Sequence, residues 1–412
     1  MTEADVTIAA AIPEASLGER QATDDMTALL DFSSPHLRFK SLTEAGGFLV
    51  PMEGMAMQFD RETIEYVLHH PELFSSRIDL GLGNIRPLIP LNVDPPQHSN
   101  FRRLLDPLFS PKKMTAYEPD IALRANALID TFIDNGSCNF SDDFADVLPS
   151  TIFLDLTGLP QERLDEFLHL RDGILHPEKL DEMAAFDPEA RTKVLYGTGE
   201  KIYALFTELI DERRKQPGDD VISQFLAAEV DGERLTHEDI LDILFLFLIA
   251  GLDTVSDTLT CMYAFLARSP EHRKQLVDDP ACIDNAVEEM LRWEAPVPFS
   301  SPRSATQDVT LPNGCPVTAG SMVLCAYGSA NVDPTEYPDA HDVRFDRTKN
   351  RHITFGMGPH RCLGSHLARR ELRVALREWH SRIPDYWITP GHEELVYPPG
   401  LRHVKDLMLT WK

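Results

Sequence analysis

Positive charge is in short supply in this sequence. Its 412 residues hold 39 Lys and Arg against 66 Asp and Glu, a formal net charge of −27. Such a chain is repelled by phosphate backbones and anionic lipid, which argues against nucleic-acid and membrane-surface roles. Cysteine is scarce as well. The six cysteines, at 138, 261, 282, 315, 325 and 362, form no CxxC pair and no Cys/His cluster at zinc-finger spacing. A disulfide framework is thereby disfavoured, and five of the thiols are expected to be buried in a reducing compartment. Aromatic residues are missing from residues 1–31, which carry seven acidic side chains and one Arg. That is the reverse of a signal or transit peptide, and the arm is expected to be disordered. Long apolar runs are missing too. The stretch Ile240–Ala250 is interrupted by Asp242 and falls short of the ~20 residues that span a bilayer. A soluble, cytoplasmic protein with no membrane partner is expected.

The composition that remains, 43% hydrophobic and 25% charged, is that of a globular protein. Helical periodicity dominates it. Ile121, Leu128, Ile129 and Phe132 predict a helix over Thr115–Asn135. Ile202, Leu205, Phe206, Leu209 and Ile210 predict another over Glu200–Gln216, stopped by Pro217-Gly218. Strand signals are short and late. Val309–Leu311 and Pro316–Thr318 flank Asn313-Gly314, a hairpin pattern, and Ser321–Ala326 is a further candidate. With no repeat or Gly/Ser linker, one mainly α domain with small sheets is expected over 32–412.

One helix is unusual. Thr236-His-Glu-Asp239 reads as a capping box with Asp in the Glu position, and no proline follows before about Arg268. At 1.5 Å per residue that is roughly 48 Å of helix. Its middle, Ala250-Gly-Leu-Asp-Thr254, is locally unfavourable: Gly costs about 1 kcal/mol in a helix interior, and a buried Asp needs a partner. Inconsistency of this kind marks functional sites. The Thr254 hydroxyl can bond back to the Ala250 carbonyl, so a bend is expected there.

The most specific signal is Phe355-Gly-Met-Gly-Pro-His-Arg-Cys-Leu-Gly364, which reads F-G-x-G-x-H-x-C-x-G. Six fixed positions in ten arise by chance about once in a million chains of this composition. Gly356 and Gly358 permit close approaches and positive φ. Cys362 falls just before or at the start of a helix expected over Leu363–Trp379, where N–H donors stabilise a thiolate. A thiolate held in such a loop is a good axial ligand for haem iron. A purely structural cysteine would leave the glycines and His360 unexplained.

At these residues the chain resembles the cytochrome P450 family. The resemblance covers residues 40–412. It implies that family's fold, a helix-rich triangular prism with small β-sheets. It implies haem b as cofactor, with Cys362 as proximal iron ligand and Phe355, Gly356 and Gly364 shaping the loop. Ala250, Gly251, Asp253 and Thr254 match the oxygen groove, with Thr254 hydrogen-bonding at the oxygen site and Asp253 relaying protons to it. Glu289-Met-Leu-Arg292 matches the E-x-x-R motif, and Arg344 the arginine that completes its buried triad; all three are structural. Asp94-Pro-Pro-Gln-His98 through Arg102 looks like the helix that grips the haem propionates, so His98, Arg102, Arg303 and His360 are implied as their partners. His352 to Gly391, with His366-Leu-Ala-Arg-Arg-Glu371 and Ile383-Pro-Asp385, is similar to the camphor-hydroxylase branch.

The same registration supplies pocket candidates: Leu88, Leu91, Leu246, Ile249, Phe299 and Leu401, apolar as suits a compact hydrocarbon-like substrate. Ordinary core packing explains any one of them equally well. No Tyr occurs between Ser75 and Phe101, where that branch presents a tyrosine to a ketone, and Arg86 sits near that register. Arg86 is expected to point into solvent, since an unpaired buried guanidinium is costly, with recognition of a carboxylate or carbonyl as the alternative.

Pro359–Trp379 carries five Arg against two Glu, and Arg102, Arg103, Lys112 and Lys113 cluster against Asp106. A basic face for an acidic partner is expected, and the resemblance implies a [2Fe-2S] ferredoxin with an NAD(P)H-dependent reductase. The implied activity is monooxygenation by a monomer: dioxygen and two electrons hydroxylate a small apolar molecule, a terpenoid or norisoprenoid. A peroxide-driven enzyme and a haem-thiolate sensor are the alternatives. The Asp253–Thr254 pair argues against the first, and the lack of a visible signalling module against the second.

Overall fold

A computed structural model describes residues 35–398 and 401–411; the acidic arm 1–31 lies outside the described residues. The chain divides into two compact units, each assembled from separated stretches. One comprises residues up to Ile78 with Glu288–Arg361 and Tyr397–Arg402; the other comprises Asp79–Val287, Cys362–Val396 and His403 onward.

The first unit holds the larger sheet. Its five strands run in the order Phe48–Met52, Met55–Gln58, Met322–Cys325, Arg303–Ala305 and Phe74–Ser75. The first two form an antiparallel hairpin, and Met322–Cys325 joins in parallel with Met322 opposite Met55 and Cys325 opposite Gln58. Side chains alternate across the sheet, as the period of two requires. Ala56, Val323 and Cys325 face one buried cluster with Ile64, Val67 and Phe74. Met57 and Leu324 face another with Phe39, Leu49 and Phe59. The strand expected over Ser321–Ala326 is thus present, one residue shorter at each end. The expected hairpin also forms, pairing Val309 with Val317 and Thr310 with Pro316 around Gly314 at φ 87°.

The second unit is mostly helical. The two helices expected from periodicity appear as Glu118–Phe132 and, much longer than foreseen, Pro188–Lys215. The extension arises because Asp187 caps the helix start and Pro188 occupies its first turn, where a missing N–H costs nothing. Helix Ser365–Arg382 buries Trp379 completely among Phe132, Phe140, Phe144, Tyr263 and Tyr386. A three-stranded sheet, Trp387–Ile388, Met408–Thr410 and Ser137–Asn139, closes this unit's far end of the sequence.

The expected single central helix is two. His237–Gly251 begins with the anticipated capping box, Thr236 and Asp239 exchanging bonds. It ends at Gly251; Leu252, at φ −94° and ψ −61°, interrupts it, and Asp253–Arg268 resumes. Of the six cysteines, Cys138, Cys261, Cys315 and Cys325 are buried, Cys282 is half-buried against expectation, and Cys362 is exposed.

Candidate active site

The interruption at Leu252 has a local cause. Thr254 Oγ1 donates to the Ala250 carbonyl at 3.0 Å, and Thr258 Oγ1 to the Thr254 carbonyl at 2.6 Å. Two successive back-bonds compete with the helical ladder and bend it. Leu248, Ile249, Leu252 and Val255 are buried on either side, yet Ala250 and Gly251 are exposed. A Cβ at Gly251 would meet nothing within 4 Å. The helix pair therefore presents one bare patch of backbone in an otherwise covered surface.

Asp253, beside this patch, is buried. Its Oδ2 meets His176 Nε2 at 2.8 Å and its Oδ1 meets Arg171 Nε at 3.4 Å. Burial works to raise the Asp253 pKa, but the His176 bond and the Arg171 charge outweigh it, leaving the carboxyl below the ordinary carboxylate range. One turn on, Asp257 is pushed well above that range by burial and by the charges of Asp253 and Asp146. The two acids of the pair are thus pushed in opposite directions, Asp253 toward the anion and Asp257 toward the neutral acid. Asp146 in turn accepts a short bond from Ser256 and lies 3.6 Å from Arg171, which also holds Asp172. Nothing in the sequence linked Arg171 or His176 to this site, because the contacts join segments about 80 residues apart; Asp257 was within reach of sequence reasoning, one turn beyond Asp253 on the same helix.

The pocket candidates separate. Leu88, Leu246 and Ile249 belong to one buried cluster, with Leu91 packed against it. Phe299 belongs to the other unit, edge-on to Phe39 and Phe59 at 6.4 and 6.3 Å, and Leu401 is half-buried there. Arg86 departs from expectation. It does not point freely into solvent but grips Asp242 with two bonds, Nε to Oδ2 at 2.8 Å and Nη2 to Oδ1 at 3.0 Å. Tyr203 donates to the same carboxylate at 3.0 Å and lays its ring under the guanidinium. The cost that argued for solvent applies to an unpaired guanidinium, and this one is paired. The contact also explains the Asp242 that breaks the apolar run.

The cysteine loop is built from the first unit up to Arg361. Gly356 and Gly358 adopt φ of 67° and 65°. At Gly358 a Cβ would also strike the Leu68 carbonyl, so both conformation and space require glycine. The loop is anchored behind. Ile353 N–H donates to Asn331 at 2.7 Å, and Thr354 Oγ1 to the Leu291 carbonyl at 2.7 Å. Leu291 neighbours Arg292, which is fully buried and bonds Glu289 twice, at 2.9 and 2.8 Å.

The third member of that network is Arg347, not Arg344. Arg347 Nε reaches Glu289 Oε2 at 3.0 Å, and Asn350 donates to the same oxygen at 2.9 Å. Arg344 gives Glu289 only its backbone N–H, at 2.9 Å; its side chain runs outward to Asp339 and Asp346. The two arginines lie three residues apart in an irregular segment, and motif register alone chose the wrong one. Burial tends to raise the Glu289 pKa, yet Arg292, the Arg344 N–H and Arg347 together leave it lowered.

Arg303 is buried, its Nη1 donating to the Ser301 and Pro302 carbonyls at 3.1 and 3.2 Å, and His360 Nε2 lies 3.0 Å from Ser76 Oγ. In the second unit His98 is buried on helix Gln97–Leu105, where Arg102 meets Asp106 at 2.6 Å. Cys362 itself precedes helix Ser365–Arg382 by three residues, and Gly364 is its N-cap. The helix starts two residues later than expected.

A sequence profile described as Cytochrome P450 matches residues 47–279 and 281–379, and the chain belongs to that family. It is 38% identical over 349 residues, 84% of this chain and 80% of the relative, to a probable cytochrome P450 127A1 of Sinorhizobium fredii. It is 34% identical to the mycinamicin IV hydroxylase/epoxidase of Micromonospora griseorubida, over 78% of this chain and 79% of that one. Among solved structures, CYP109E1 from Bacillus megaterium in complex with testosterone superposes with a TM-score of 0.82 at 28% identity, covering 92% of this chain and 99% of that one. The protein is thus a cytochrome P450 monooxygenase, a family whose members bind haem through a cysteine thiolate.

The residues present fit haem. A single exposed cysteine follows a glycine-shaped loop, and the central helices bare their backbone at Ala250 and Gly251.

Proposed function

We propose that Cys362 is the axial thiolate, that His98, Arg102, Arg303 and His360 hold the propionates, and that the enzyme hydroxylates a compact apolar molecule of terpenoid or norisoprenoid type. The observation that carries this reading is the bare, interrupted helix at Ala250–Thr254 in a chain that also holds the exposed Cys362. Bound haem supplies activation of dioxygen, with the thiolate favouring O–O cleavage. The chain's own groups do the rest. Thr254 turns its hydroxyl from the Ala250 carbonyl to donate at the oxygen site. Asp253 hands protons to it, and Gly251 leaves it room. Leu88, Leu91, Leu246 and Ile249 exclude water and orient the substrate. Arg86, neutralised by Asp242, does not favour a carboxylate ligand, which supports an uncharged substrate.

The relatives widen the substrate range to be tested: their names include a methyl-branched lipid omega-hydroxylase and a steroid C26-monooxygenase. Electrons are proposed to come from a [2Fe-2S] ferredoxin and its NAD(P)H-dependent reductase. The decisive experiment is a spectral-shift screen of the haem-loaded protein over terpenoids, norisoprenoids, steroids, branched lipids and aromatic acids. Terpenoid-sized molecules should give the largest shifts and turn over; shifts confined to steroids or lipids would overturn the substrate assignment. Reduced protein with carbon monoxide should show the red-shifted band of thiolate ligation, and Cys362→Ser should abolish it.

A further inference from the structure

Asp253 needs a source of protons, and among the described residues one partner of its carboxylate is partly open to solvent. Of the two side chains bonded to its carboxylate, Arg171 is 4% exposed and holds its protons permanently, while His176 is 29% exposed. His176 lies between the buried acid and the surface. Its Nε2 is 2.8 Å from Asp253 Oδ2, and its Nδ1 is 3.8 Å from Oε1 of Glu178, a carboxylate 44% exposed. Lys179, next along, pairs with Asp172 at 3.3 Å, and Asp172 is held by Arg171. These pairings fix the two basic neighbours on Asp172 and leave the imidazole as the link.

We propose that His176 is the proton inlet of the enzyme, carrying protons from Glu178 and bulk water at the surface to Asp253. The inference rests on the proposed relay role of Asp253. In each transfer a solvent proton arrives at Nδ1 as the Nε2 proton passes to Asp253 Oδ2. The carboxyl then releases its proton toward Thr254 and returns to the anion, and the ring resets to its Nε2–H form by giving the Nδ1 proton back to Glu178 or water and taking one from water at Nε2. One proton enters for each that leaves, and no other co-reactant is required. Imidazole suits this task because its two nitrogens face opposite ways, and the bond made by one sets the state of the other. The arginine beside it can only hold Asp253 in place.

The test compares His176→Gln, His176→Ala and Asp253→Asn in the holoenzyme. Glutamine keeps a donor toward Asp253 but cannot pass a proton through itself. Both His176 variants should bind substrate as the parent does, slow product formation by at least about tenfold and enlarge the solvent deuterium isotope effect, since positioned proton transfer contributes on the order of 10²-fold or more. A Gln variant indistinguishable from the parent would overturn the inlet and leave a positioning role. An unaffected Asp253→Asn would sink the relay itself, so the two failures are distinct. Independently of turnover, ¹⁵N resonances of the ferrous carbonmonoxy protein should show His176 protonated at Nε2. They should lose that hydrogen-bonded signal in Asp253→Ala; a ring protonated only at Nδ1 would also overturn the proposal.

Discussion

At the scale of the residue, Thr254 and Gly358 carry the sharpest consequences. The Thr254 hydroxyl sits on the Ala250 carbonyl. Thr254→Ala should therefore leave substrate binding intact while diverting electrons to hydrogen peroxide, read as product formed per NADH consumed. Unchanged coupling would remove Thr254 from the proposed relay. Gly358 combines positive φ with contact against the Leu68 carbonyl. Gly358→Ala should cost about 1–3 kcal/mol from backbone conformation alone. Expressed protein should carry visibly less haem, measured as the ratio of Soret to protein absorbance.

At the scale of the element, the buried Glu289 network ties the cysteine loop to helix Ile283–Glu294. Arg347→Ala strips a nearly buried partner from a fully buried carboxylate and should cost about 3–5 kcal/mol, read by denaturant unfolding. Arg344→Ala, its side chain half-exposed, should unfold close to the parent. The Glu289 carboxyl is depressed in the folded protein. Its stabilisation is complete above the unfolded-chain value of about 4.3 and is lost as pH falls through the lower folded value. Glu289→Gln should flatten the stability–pH curve over that acid window.

The Arg86–Asp242–Tyr203 cluster makes a similar tie. Asp242→Asn or Arg86→Met alone should destabilise, by less than the ~3–5 kcal/mol of a fully buried pair because Arg86 is 33% exposed. The double change to apolar residues should recover part of the loss.

The helices, the capping box and the Asn313-Gly314 hairpin were legible in the sequence because each is decided within a few residues. The place of the helix irregularity was legible too, since Gly251 and Thr254 act on their own turn, but a bend was expected where the helix is interrupted. The partner of Glu289 and the role of Arg86 were not. Two arginines at positions 344 and 347 satisfy the same pattern, and an ion pair across some 150 residues leaves no local trace.

At the scale of the whole molecule, charge and connectivity matter. The basic segments expected to make a docking face are largely neutralised by pairing. Arg370 and Arg377 both bond Glu118, Arg373 lies 3.2 Å from Asp284, and Arg103 meets Asp231. Sequence clustering counted these cations without their acids, which come from other segments of the chain. Reduction by the proposed ferredoxin, if acidic, should accordingly fall by less than about tenfold between low and moderate salt, followed by stopped-flow absorbance.

The parallel pairing of Met55–Gln58 with Met322–Cys325 has a further consequence, in time rather than space. The two strands leave the ribosome roughly 270 residues apart, which at about 5–20 residues per second is some 15–50 seconds. Throughout that interval the first hairpin has an open edge that any other strand could occupy. The open edge must therefore be shielded or kept loose until Met322–Cys325 has been made, and Cys362 emerges later still.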